Sequence, residues 1–124
     1  MSRLEFLDRV LASLITQSYE PRTALLVVVD GSDELYVKIR NKIAHTALEN
    51  VLCVKSNNIG DAAVTIPQRR QRISNIHNQI KGLIGDDIDW IFSIEDDGIL
   101  PVNALSWLVN DVQNYPNLAL VTGV

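Results

Sequence analysis

The amino-acid sequence predicts an α/β fold with a mostly parallel sheet and helices packed on it. Stretches with apolar residues at helical spacing alternate with short apolar runs, in the order α-β-α-β-α-β-α-β. Such alternation favours crossover connections between parallel strands. The run Ala24–Asp30, "ALLVVVD", is apolar up to its last residue, which is typical of a strand covered on both faces. Because the chain has 124 residues and is 47% hydrophobic, we expect a single domain, residues 1–124, with its own core.

The first half of the chain is predicted to form two helices, each followed by a strand. Ser2 caps the first helix, and Pro21 ends it. The turn "DGSDE" after the first strand starts the second helix, and Val51–Val54 form a second strand that ends in the polar loop "NNIG". The apolar positions that give the two helices their period are Leu4, Leu7, Leu11, Leu14 and Ile15, and then Leu35, Ile39 and Ile43.

The second half repeats this order with a longer helix. Apolar residues at helical spacing predict a helix over Pro67–Ile84. The run Trp90–Ile94, "WIFSI", is predicted as the third strand, and "LALVTGV" at 118–124 as the start of a fourth. Pro101 suits the first turn of the helix that connects these two strands.

Composition and charge exclude several classes of protein. The net charge of -4 argues against broad binding of nucleic acid, which needs a basic surface. Cys53 is the single cysteine, so an internal disulfide is excluded, and we expect it in the core together with Trp90 and Trp107. No apolar run approaches the roughly 20 residues that cross a bilayer, and the N-terminus lacks a signal-peptide pattern. We expect a cytoplasmic protein, either free or peripheral at the inner face of the membrane.

Three consecutive carboxylates, Glu95, Asp96 and Asp97, follow the predicted third strand. In parallel sheets ligands bind at the carboxyl ends of the strands, where Asp30 is also expected, so these acids should share one edge. Two interpretations stay open. The acids form a solvated turn that favours the start of the next helix, or they hold a divalent cation, Mg²⁺ or Mn²⁺, that bridges to substrate phosphates.

The helix over Pro67–Ile84 carries the donors that a metal–phosphate site needs. They are Arg69, Arg70, Arg72, Asn75, His77 and Asn78. Arginine offers planar, bidentate donors that fit phosphate. The alternative is that most of these side chains, His77 among them, only solvate one face of the helix.

Several segments, in the right order, resemble family-2 glycosyltransferases over nearly the whole chain. The segment "FLDRVLASLITQSYEPRTALLVVVDGSDE" resembles the opening of that family, with a helix, a "Q-[ST]-Y-x-P" turn and a strand that ends in Asp-Gly-Ser. The loop "NNIG" and the helix after it, which bears arginine and asparagine, resemble the next segment. The stretch "WIFSIEDDGILPVNALSWLV" resembles the DxD region and the helix that follows it.

This resemblance implies a GT-A fold, a Rossmann-like α/β/α arrangement of three layers that binds a nucleotide diphosphate sugar, with a UDP-sugar favoured and the acceptor unknown. Asp30, with Gly31 and Ser32 beside it, matches the acid that hydrogen-bonds the nucleotide base. Arg72 and Asn78 match residues near the nucleotide, although His77 replaces a neighbouring arginine of the family.

The same resemblance assigns the three acids to the ribose and to a Mn²⁺ or Mg²⁺ ion, in one of two registers. In the first register the motif reads E-x-D, and its two acids are Glu95 and Asp97. Read from the spacing to Pro101, Asp96 becomes the metal ligand and Ile94 takes the place of the first acid. The metal stabilises the charge of the leaving nucleotide as a Lewis acid.

The chain departs from the family at both ends. The family's first strand and its "P-x-[YF]-N" turn would precede Met1, and the half that carries the catalytic base would follow Val124. We therefore expect the donor-binding part of a glycosyltransferase, with its first strand missing. The two strands that would flank the missing strand are then expected to pair with each other or with another chain. The alternative is a non-catalytic interaction or regulatory module. A receiver domain fits poorly, because no lysine follows Lys81.

Overall fold

The computed structural model describes residues 3–17, 24–46, 50–60, 65–95, 98–115 and 117. In that part of the chain the fold is mixed α/β, with four helices and a parallel sheet of two strands. In chain order the elements are α1 (Arg3–Ile15), β1 (Leu25–Val29), α2 (Asp33–Ala44), β2 (Val51–Lys55), α3 (Ile66–Leu83) and α4 (Ala104–Asn114). The chain divides into two compact units, one of residues 24–92 and one of residues 1–23 with 93–124.

The unit of residues 24–92 is built on a β-α-β motif. Strands β1 and β2 pair in parallel from Leu25↔Val51 to Val29↔Lys55, and α2 connects them. Ser32 caps α2, because its hydroxyl accepts a hydrogen bond from the Leu35 amide at 3.1 Å. Since parallel strands end at the same edge of a sheet, the residues that follow β1 and β2 lie side by side.

Helix α3 follows the sheet and is fastened to the end of β2. A capping box between Thr65 and Gln68 starts the helix, with Pro67 in its first turn. The Gln79 amide then spans the gap to the strand, donating to the Lys55 carbonyl and accepting from the Asn57 amide, both at 2.9 Å. These two bonds fix the side of α3 that faces the carboxyl edge of the sheet.

The other unit joins α1 to the segment that leads into α4. Val10 and Leu11 of α1 are buried, and so is Ser13. The Ser13 hydroxyl donates to the Val10 carbonyl at 2.7 Å and accepts from the Leu100 amide at 3.3 Å. The Gln17 amide adds a bond to the Pro101 carbonyl at 2.8 Å. The end of α1 thereby holds the chain just before α4.

Two predictions about secondary structure are wrong. Residues Trp90–Ile94 form no strand: in the described part of the chain they pair with neither β1 nor β2, and a strand needs hydrogen bonds to a neighbour. Pro101 does not lie in the first turn of α4, which begins three residues later at Ala104 after a turn closed by a bond between these two residues. The predicted strand at 118–124 and the predicted cap Ser2 lie outside the described residues.

The core observed in the described residues is smaller than the core that the sequence predicts. Trp90 is 47% exposed and Trp107 is 60% exposed, so both predictions of a core tryptophan are wrong. Cys53 and most of β1 are half-buried, because the described residues do not cover both faces of a sheet of two strands. Among the described residues of the range 24–92, the buried hydrophobic side chains are Val29 and Ile43. None of the described helices is both long and apolar enough to span a membrane.

Candidate functional site

Asp30 lies at the centre of a polar cluster at the carboxyl edge of β1 and β2. It follows the last residue of β1, and Ser56 follows the last residue of β2. The Ser56 amide donates to the Val29 carbonyl at 2.8 Å, which continues the ladder past the end of β2. The Ser56 hydroxyl donates to Asp30 Oδ1 at 2.6 Å. The sheet register therefore brings these two side chains together.

Arg72 of α3 forms a bidentate ion pair with Asp30. Its Nε donates to Asp30 Oδ2 at 2.9 Å, and its Nη2 donates to Asp30 Oδ1 at 2.8 Å. Its Nη1 reaches the Ile59 carbonyl at 3.2 Å. The Arg72 side chain is 16% exposed and the Asp30 side chain 24%, so the pair is largely withdrawn from water. Such a planar fork fixes geometry as well as charge.

Asn58 connects this ion pair to the rest of α3. Its amide nitrogen donates to Asp30 Oδ1 at 3.2 Å and to the Arg72 carbonyl at 3.1 Å. Its oxygen accepts from Asn75 Nδ2 at 2.8 Å, and Asn75 in turn accepts from Gln71 at 2.9 Å. The cluster is thus a network in which the loop after β2 and one side of α3 hold a single carboxylate.

The network keeps Asp30 ionised. Burial raises the pKa of its carboxyl, but the hydrogen bonds from Arg72, Ser56 and Asn58, together with the charge of Arg72, outweigh burial and lower the pKa below its usual value. Asp30 is consequently an anionic hydrogen-bond acceptor at neutral pH.

The lowered pKa predicts that Asp30 makes folding sensitive to acid. The ionised carboxylate stabilises the fold fully above the pKa of an unfolded aspartate, about 3.9, and this stabilisation is lost as the pH falls through the lower folded-state pKa. We expect Asp30→Asn to be clearly less stable than the wild type at pH 7, and the gap to close below about pH 4. Urea unfolding of both proteins at pH 7, 5 and 3 measures this gap. A gap that stays constant down to pH 3 would contradict the prediction.

The other residues predicted near the nucleotide divide into two groups. Gly31 and Ser32 directly follow Asp30, and Ser32 acts as the cap of α2. A Cβ on Gly31 would lie 2.7 Å from a methyl group of Leu35, so a larger residue would push that side chain away. Asn78 is exposed on α3 and makes no described contact with Asp30. The structure instead brings in Asn58 and Asn75.

The acidic stretch after the predicted third strand is described only in part. Glu95 is exposed, and its carbonyl accepts a hydrogen bond from the Gly98 amide at 3.2 Å. Asp96 and Asp97 lie outside the described residues. Among the described residues no group of three histidine, cysteine or acidic side chains is placed to hold a metal ion. Metal binding at Glu95, Asp96 and Asp97 stays a prediction.

The remaining polar candidates lie away from the Asp30 network. Arg69, Arg70 and His77 are exposed on α3, as expected for residues that solvate a helix. Lys55 forms an ion pair with Asp33 that is open to solvent on the Asp33 side. Burial raises the pKa of the Cys53 thiol against the opposing charge of Arg40, so the thiol is a poor nucleophile.

Sequence and structure comparisons identify no relative of this chain. No family model matches it. No curated protein and no solved structure is similar to it either.

Proposed function

We propose that the Asp30 network binds the base of a uridine nucleotide, and that the chain is the donor-binding part of a metal-dependent glycosyltransferase. The observation that carries the proposal is the ionised carboxylate at the carboxyl edge of two parallel strands, next to an arginine held in a fixed orientation. This edge is where α/β folds place nucleotides. The order of motifs along the sequence supports the same class of protein, with Asp30 at the position of the base-binding acid.

The network offers the central hydrogen-bond acceptor that the N–H of a uracil edge needs. Uracil presents one N–H between two carbonyl groups, so its partner must be an acceptor flanked by donors. A carboxylate has about four acceptor positions. Asp30 Oδ1 accepts three bonds from described residues and Oδ2 accepts one, so Oδ2 has capacity for the base N–H. Arg72 holds the carboxylate in a fixed orientation for this contact, because its Nε and Nη2 donate to both oxygens of Asp30.

The proposal assigns the other contacts with the nucleotide sugar, and the binding of the metal ion, to residues that the sequence resemblance selects. Gly31 and Ser32 follow Asp30 and lie next to the bound base, while Glu95, Asp96 and Asp97 hold Mn²⁺ or Mg²⁺ in one of the two registers given above. The ion, when bound, neutralises the diphosphate. The fold that goes with this function is the GT-A arrangement of three layers, of which β1, α2, β2 and α3 form the base-binding corner.

Binding of UDP distinguishes this proposal from a purely structural role of the network. We expect the wild type to bind UDP more tightly with Mn²⁺ present, and Asp30→Asn to bind at least tenfold more weakly. The amide nitrogen of asparagine repels the base N–H where the carboxylate accepts it. Titration calorimetry at pH 7 measures both affinities. Asp33→Asn is the matched control, since it removes an exposed carboxylate three residues away, and it should bind as the wild type does.

A modified ligand tests the same contact without changing the protein. UDP methylated at N3 of the base has no N–H to donate, so its binding to the wild type should fall to the level of the Asp30→Asn variant. Equal binding of UDP and its N3-methyl derivative would refute the proposed role of Asp30. Absence of any UDP binding, in protein shown to be folded by circular dichroism, would refute the nucleotide site altogether.

The alternative function is a non-catalytic interaction module. The observation that favours it is a run of exposed apolar side chains in the unit of residues 24–92, formed by Ile88, Trp90, Ile91 and Phe92. Contiguous exposed apolar surface is typical of protein interaction sites. The UDP titration separates the two functions, because a module of this kind has no reason to respond to N3 methylation.

A further inference from the structure

Helix α3 carries an apolar stripe that its own unit leaves partly open. Ile66, Ile73 and Ile80 recur every seven residues, and Ile76 and Leu83 follow at the same interval. Ile66 is 63% exposed, Ile73 52% and Leu83 43%, while Ile76 and Ile80 are half-buried. No described residue of α3 is buried. A seven-residue repeat of this kind is the pattern with which one helix packs along another.

Two bases at the start of α3 are opposite in sign to two acids just past its end. Arg69 and Arg70 lie at its start, and Asp86 and Asp87 lie just past its end, in a turn closed by a bond from the Ile88 amide to the Gly85 carbonyl at 3.3 Å. These two pairs oppose the helix macrodipole, which favours acids at the start and bases at the end, whereas Lys81 in the last turn agrees with it. Within the described part of the chain, none of these four charged side chains forms an ion pair.

We propose that α3 is the contact surface of a homodimer, in which the α3 helices of two copies pack antiparallel around a centre at Asn78. In this register Ile73 faces Leu83 of the second copy, and Ile76 faces Ile80. The turn with Asp86 and Asp87, just past the end of α3, then lies near Arg69 and Arg70 at the start of the helix in the second copy.

A second copy of this chain fits the surface for two reasons. An antiparallel pair is isologous, so a single helix with bases at one end and acids at the other is complementary to itself. A parallel pair would bring the arginines of both copies together. Arg72 and Gln79 contact Asp30 and the end of β2, whereas the most exposed members of the stripe, Ile66 and Ile73, lie on another side of the helix. Because two and a half heptads bury less surface than a standard stable interface, we expect a reversible dimer of micromolar or weaker affinity.

Two charge-reversal variants test the register. R69E/R70E places acids against acids in the dimer, and D86K/D87K places bases against bases. Each variant alone should self-associate at least tenfold more weakly than the wild type in sedimentation velocity across a range of concentrations. Ile73→Ser, at an exposed position, should weaken the dimer without unfolding the chain. Circular dichroism verifies that each variant keeps its helices.

Mixing the two charge variants gives the decisive result. In the mixed dimer the glutamates of R69E/R70E face the lysines of D86K/D87K, and the native arginines face the native aspartates, so association should return. The control R9E/K38E has the same net charge as R69E/R70E but changes exposed residues on α1 and α2, and it should dimerise like the wild type. A wild type that stays monomeric up to millimolar concentration, or mixed variants that stay monomeric, would overturn the proposal.

Discussion

Replacing Arg72 with methionine is expected to lower the free energy of unfolding of the unit that contains Asp30 by about 2 kcal/mol. The variant leaves the Asp30 carboxylate partly buried without its counter-ion and removes two charge-assisted hydrogen bonds, each of which contributes about 1.5–3 kcal/mol. Removing one partner of a fully buried ion pair costs about 3–5 kcal/mol. Since both side chains are partly exposed, solvent reduces that figure.

The measurement needs a probe of this unit alone. Trp90 lies in residues 24–92 and Trp107 in the other unit, so urea unfolding in a Trp107→Phe background follows the unit of interest by the fluorescence of Trp90. Arg70→Met is the matched control on the same helix, and at a dilution where the chain is monomeric it should change stability by less than about 0.5 kcal/mol. Arg72→Lys keeps the charge but loses the planar fork, so an intermediate loss is expected. Equal stability of the Arg72 and Arg70 variants would show that the ion pair does not stabilise the fold.

The sequence predicted both members of this ion pair as site residues, but it did not predict the contact between them. The end of the apolar run identified Asp30 as a residue at the carboxyl edge, and the family resemblance selected Arg72. Neither indicated that the two bind each other, because they are 42 residues apart and only the docking of α3 brings them together. Ser56 and Asn58 were missed, although the polar run after the second strand was visible and parallel pairing puts it beside Asp30.

The fold shows the same division between local and non-local information. Helices α1, α2 and α3 and strands β1 and β2 were predicted within a few residues, because periodicity, caps and turn residues are local signals. The run Trp90–Ile94 has the same local signal as β1, yet it forms no strand. A strand exists only through hydrogen bonds to a neighbour, and β propensity does not specify that neighbour. The exposure of Trp107 likewise depends on packing that no single helix encodes.

Replacing Ile43 with alanine is expected to lower the free energy of unfolding of the same unit by about 3 kcal/mol, the typical result for truncating a buried isoleucine. Ile43 is 6% exposed and is one of two buried hydrophobic residues described in residues 24–92, so little else in this unit compensates. Val37→Ala on the same helix is the control. Val37 is 42% exposed, and a loss below 1 kcal/mol, roughly the effect of removing partly exposed methyl groups, is expected.

The Ile43 variant also separates stability from nucleotide binding. Ile43 lines a surface cavity with Asn50 and Val51 at the start of β2, whereas Asp30 and Ser56 follow the ends of the strands. A strand of five residues puts these two edges about 13 Å apart, at roughly 3.3 Å per residue. At temperatures where Ile43→Ala is folded, we therefore expect it to bind UDP like the wild type. Saturating UDP should then stabilise both proteins equally, by about 2.7 kcal/mol at one hundred times the dissociation constant. A folded Ile43→Ala protein that has lost UDP binding would place the ligand at the opposite edge of the sheet and refute the assignment to Asp30.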